Sequence, residues 1–79
     1  MNNIYKYVEK ESLPKGMIAL IEEYKEVIES VSREYNDGYD YWIYLKDGYI
    51  CEPMECSTIH EYSIKECKRM LKEVRKVDE

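Results

Sequence analysis

Between Tyr39 and Leu45 the chain runs Tyr-Asp-Tyr-Trp-Ile-Tyr-Leu, almost entirely strand formers. This run constrains the fold most, because a strand sends alternate side chains to opposite faces. Tyr41, Ile43 and Leu45 point one way, Trp42 and Tyr44 the other. The next turn signal is Asp47-Gly48, which predicts a two-residue hairpin of type I′, since glycine accepts the positive φ such a turn needs. In that register Leu45 faces Ile50, Tyr44 faces Cys51 and Lys46 faces Tyr49. Face one is then Tyr41, Ile43, Leu45 and Ile50; face two is Trp42, Tyr44, Tyr49 and Cys51. Pro53 stops the second strand. Ser57-Thr58-Ile59-His60-Glu61 supplies a third, and three strands make the smallest sheet expected to be stable.

Helical periodicity flanks the sheet. Leu13, Met17, Leu20, Ile21, Tyr24, Val27, Ile28, Val31 and Tyr35 fall on one stripe at 3.6 residues per turn, opposite Glu22, Glu26, Glu29 and Arg33. Ser12 suits the N-cap, Pro14 the first turn, and Asn36-Asp37-Gly38 the stop, so a helix is expected from Leu13 to Tyr35. Residues 4–10 choose neither a short helix nor an edge strand. Ser63-Ile64-Lys65-Glu66 is a capping box. The helix it starts has Ile64, Cys67, Met70, Leu71, Val74 and Val77 on its apolar side, with Lys65, Lys68, Arg69, Lys72, Arg75 and Lys76 outside. The expected fold is a single α+β domain over residues 1–79: a long amphipathic helix, a three-stranded antiparallel meander and a C-terminal amphipathic helix. Both helices can lie on face one, or one on each face.

Composition narrows the functions. Twelve Lys and Arg against 17 Asp and Glu give a net charge of -5, which disfavours phosphate backbones and anionic lipid as partners. No apolar run approaches a bilayer span and no secretory h-region opens the chain, so a cytoplasmic protein is expected. Three cysteines without an export signal point to reduced thiols. Residues 36–62 hold Asp37, Asp40, Asp47, Glu52, Glu55 and Glu61 against a lone Lys46, while the last helix is net positive. Attraction between acidic sheet and basic helix is the ordinary use of such a pattern. The functional use is an acidic surface that docks on a basic groove.

Nine tyrosines, one tryptophan and no phenylalanine place hydroxyl-rimmed rings on face two, a composition that interface hot spots favour. The residues expected to bind a partner are Asp37, Asp40, Trp42, Tyr44, Tyr49 and Glu52, with Glu22, Glu26 and Glu29 as a second acidic patch. Cys51, Cys56, His60 and Cys67 have the ligand types of a zinc site, though not the spacing of a paired knuckle, and form an alternative. A further alternative is nucleic-acid binding by the basic helix through Lys68, Arg69, Lys72, Arg75 and Lys76. The three glycines are isolated, so no phosphate-cradling loop is present. No orienting third group accompanies a Cys-His pair, and no catalytic residues or cofactors are expected. A homodimer through the strand rim or through face two stays open.

The stretch Tyr41-Trp42-Ile43-Tyr44-Leu45-Lys46-Asp47-Gly48-Tyr49, with Ser57-Thr58-Ile59-His60-Glu61 and the capped basic helix, resembles small proteins of bacterial phages and mobile elements. That resemblance covers about the second half of the chain and brings no site residues with it. Size and acidity are also similar to phage-encoded inhibitors of host defence, anti-CRISPR proteins among them. It implies a non-enzymatic inhibitor that docks on a host nucleic-acid-processing protein with a basic surface.

Overall fold

In a computed structural model, which describes residues 3–34 and 38–77, the chain is α+β with two helices, a three-stranded antiparallel sheet and a two-stranded one. After turns at residues 4–7 and a 3₁₀ turn Lys10–Ser12 come α1 (Lys15–Glu23), β1 (Ile28–Arg33), β2 (Tyr41–Leu45), β3 (Tyr49–Cys51), β4 (Thr58–Glu61), α2 (Ile64–Leu71) and β5 (Val74–Lys76). The larger sheet has the order β1-β2-β4; β3 and β5 form the smaller. None of the described helices is long and apolar enough to cross a membrane.

The expected long helix is cut short. Its N-cap is Pro14 rather than Ser12, whose hydroxyl instead donates to Glu9 O at 2.7 Å. Beyond Glu23, Tyr24 leaves helical geometry and the β-branched run Val27-Ile28 leads into β1. Ile28 opposes Leu45, Val31 opposes Ile43 and Arg33 opposes Tyr41, with a register shift between Ile28 and Ser30. That bulge inserts one residue, so Ile28 and Val31 point to the same side although three positions apart. A spacing of three is also what a helix would show. The Asn36-Asp37-Gly38 stop lies between two strands, and the expected helix end at Tyr35, with Asn36 and Asp37, falls outside the described residues. Gly38 sits at φ +83.

The meander is also rearranged. Gly48 has φ +91, but Asp47 is not among the positive-φ residues, and Tyr49 N–H donates to Lys46 O at 3.1 Å. This is the type II pattern, which splays the flanking strands where type I′ would pair them. Strand β3 therefore leaves β2 and pairs with β5: Tyr49 with Lys76, Ile50 with Arg75 and Cys51 with Val74. The place beside β2 goes to β4, with Tyr41 opposite Glu61, Trp42 opposite His60, Ile43 opposite Ile59 and Tyr44 opposite Thr58. Strand β5 takes residues expected to be helical. Helix α2 starts as predicted, the Ser63 hydroxyl accepting from Glu66 N–H at 3.3 Å, and ends at Leu71.

One apolar cluster holds the layers together. Face one of the sheet contributes Ile28, Val31, Tyr41, Ile43, Leu45 and Ile59; α1 and the turn before it contribute Leu13, Met17, Leu20 and Ile21; α2 contributes Cys67, Met70 and Leu71. Both helices thus share face one. Cys51, expected on face two, is fully buried in this same core, while Ile50 is half-buried. The turns at residues 4–7 run along the free edge of β1, where Val31 N–H donates to Ile4 O at 3.1 Å. Tyr5 reaches towards α1, its hydroxyl donating to Glu22 at 3.0 Å. Burial and that carboxylate push the Tyr5 hydroxyl pKa up to about 12.

Candidate functional site

Because both helices lie on face one, face two has no helical cover. Its positions are Ser30 and Ser32 on β1, Tyr44 and Trp42 on β2, and Thr58 and His60 on β4. The two serines are buried small residues; the rings around them are only half-buried. Trp42 and His60 oppose each other across strands with ring centroids 5.0 Å apart. Tyr39 lies against both, 4.6 Å from His60 and 6.4 Å from Trp42, and Tyr62 stacks on Tyr39 at 4.8 Å. At the other end of the face Tyr7 meets Tyr44 edge-on at 6.4 Å. Tyr62 and Tyr7 are 58% and 63% exposed, the largest apolar exposures among the described residues.

Beside Tyr44 the face opens into a shallow cleft of about 620 Å³, lined by Lys6, Tyr7, Glu29, Ser32, Glu34 and Tyr44. Lys6 and Glu29 pair across it at 3.1 Å, and the Ser32 hydroxyl bonds Glu34 at 3.4 Å. Two polar atoms of the face, Trp42 Nε1 and His60 Nδ1, are buried with no hydrogen-bond partner among the described residues. The face thus combines ring edges, hydroxyls and paired charges, features suited to binding a surface.

The expected binding residues divide between this face and other places. Trp42, Tyr44 and Glu29 meet on it. Asp40 stands just before β2, bonded by Arg33 at 3.2 Å. Glu52 follows β3 and is paired with Arg75. Tyr49 is half-buried in β3 against the core, so it belongs to the smaller sheet and not to face two. Glu22 lies on α1, Glu26 in the turn after it and Glu29 on β1, so these three do not form the single helical stripe expected of them. Asp37 lies outside the described residues. Tyr7, Tyr39, His60 and Tyr62 complete the ring face, although none is among the residues expected to bind a partner. Tyr62 had a signal: it follows His60 by two on the same strand period.

The zinc alternative fails on placement. Cys51 and Cys67 are fully buried on the face-one side, Cys51 Sγ donating to Met70 O at 3.5 Å. Cys56 Sγ donates to Thr58 O at 3.0 Å, and His60 is among the rings of face two. Burial pushes the Cys67 thiol up to about 12. Among the described residues no group of three or more His, Cys, Asp or Glu is placed to hold a metal. The basic residues of the last helix also separate: Lys68, Arg69 and Lys72 stay with α2, while Arg75 and Lys76 are on β5.

No protein family, curated protein or solved structure matches this chain.

Proposed function

We propose that the chain is a non-enzymatic protein-binding module that docks through face two on a partner protein with a basic surface. One observation carries the reading: both helices cover face one, leaving the half-buried Trp42, Tyr44, Tyr39 and His60 and the exposed Tyr7 and Tyr62 on the other side. Rings with polar edges are the residue types in which binding energy concentrates. The net charge of -5 favours a cationic counterpart and faster encounter with it. In biological terms this suits a mobile-element inhibitor, anti-CRISPR proteins being one such class, acting on a host nucleic-acid-processing protein. That role rests on size, acidity and the resemblance of the second half.

The test is capture from the natural host by the immobilised chain and by a Tyr7→Ser/Tyr62→Ser variant, whose changes fall at exposed positions. The same basic protein should be enriched by the parent chain and lost with the variant. Equal capture by both, or none by the parent, refutes the reading.

A further inference from the structure

Helix α2 carries a second surface, turned away from the ring face. Its buried side, Cys67, Met70 and Leu71, packs on face one. Its outer side presents Lys65, Lys68, Arg69 and Lys72, all exposed, at the i, i+3, i+4, i+7 spacing of one helical face. With Ser63 and Glu66 they line a shallow cleft of about 460 Å³.

The four cations make no ion pair with the acidic sheet region among the described residues. The ion pairs among the described residues are Lys6 with Glu29, Arg33 with Asp40 and Arg75 with Glu52. None involves the four cations of α2; Arg69 only eases the charge of Glu61 electrostatically. Lys65 stands three and four positions from Lys68 and Arg69, and Lys72 four and three, separations at which like charges repel. Lys68, Arg69 and the C-cap Lys72 complement the helix dipole, which accounts for cations at this end of α2 but not for Lys65 in its first turn. The result is a face of four cations against the single Glu66.

We propose that the outer face of α2 docks on the phosphodiester backbone of a nucleic acid, with Lys65, Lys68, Arg69 and Lys72 set against phosphates and no base read. A protein partner is the weaker fit, because protein interfaces centre on an apolar or aromatic core and this stripe has none. Two helical turns spread the four cations over roughly 10 Å, a length along which one strand of a duplex offers about three phosphates. The net charge of -5 does not prevent this, since fixed charges farther than about 8 Å from the stripe are largely screened at physiological salt. The proposal stands apart from protein docking on face two, and where both hold the molecule would bridge a protein and the nucleic acid that protein handles.

The test is fluorescence anisotropy of a short labelled DNA duplex titrated with the full chain over a series of salt concentrations. About three neutralised phosphates predict a slope of log K against log salt of roughly -2.7. Lys68→Gln/Arg69→Gln/Lys72→Gln should cost tenfold or more in affinity with an unchanged circular dichroism spectrum. The single Lys72→Gln, gentle on the fold, should flatten the slope by about 0.9. No binding at low salt, or binding that ignores these substitutions, overturns the proposal. Displacement of the duplex by poly-glutamate at equal charge concentration also overturns it, by assigning the stripe to an acidic protein.

Discussion

Ile43 and Tyr62 offer a direct contrast between the two sides of the sheet. Ile43 is in the central strand with no solvent exposure, flanked by Val31 and Ile59, which are equally buried. Ile43→Ala removes three carbons, worth about 2.4 kcal/mol in transfer free energy at about 0.8 kcal/mol each. Closely packed neighbours on both adjacent strands limit collapse, so a cavity cost brings the expected loss to about 3 kcal/mol. A chain of this size has roughly 4–12 kcal/mol in total, so that loss is a large fraction of it. In thermal unfolding followed by circular dichroism, Tm should fall by about 12–24 °C. Tyr62→Ala, at a ring 58% exposed, should change stability by no more than ~0.5 kcal/mol. A loss below ~1 kcal/mol for Ile43→Ala, or an equal loss for both, would refute the assignment of core to face one and binding surface to face two.

Three further outcomes follow from local geometry. Ser63→Ala removes the hydroxyl that accepts from Glu66 N–H and should cost about 1 kcal/mol in a urea titration. Gly48→Ala meets no steric neighbour but forces φ +91 on an L-residue, so about 1–2 kcal/mol should be lost to backbone strain alone. Burial, then the neighbouring Glu66, raises the Glu61 carboxyl pKa above its ordinary 4.5. The folded state therefore holds this proton more tightly than the unfolded one, and the group's contribution to stability is lost as pH rises through that window. Glu61→Gln should gain on the parent chain in urea midpoint from about pH 4.5 upward, with the two converging below it; a gap that shrinks as pH rises contradicts the assignment.

The second half of the chain was the more readable from sequence. Alternation in Tyr41–Leu45 separates Trp42 and Tyr44 from Tyr41, Ile43 and Leu45 as the structure does, and the Ser63 box marks the start of α2, because both signals are local. Strand β1 was hidden by its own bulge: with one residue inserted, Ile28 and Val31 reach the same face at a spacing of three and extend the helical stripe of α1. The Asp47-Gly48 pair signals the turn, but its type depends on the φ of Asp47, and that choice decides whether β3 stays beside β2. Which face the helices cover is a tertiary outcome that neither helix specifies alone. The ring face is therefore legible in sequence only as Trp42 and Tyr44 opposite the aliphatic side, and Tyr7, in a segment of ambiguous period, has no signal that links it to Tyr44.

The central claim, that face two is the docking surface, is tested most directly by hydroxyl-radical footprinting of the tyrosines, free and in complex with the captured partner. Tyr7 and Tyr62 should be oxidised in the free chain and protected in the complex, while Tyr41, at 4% exposure on face one, should be protected in both. Continued oxidation of Tyr7 and Tyr62 in the complex, or oxidation of Tyr41 in the free chain, would contradict it.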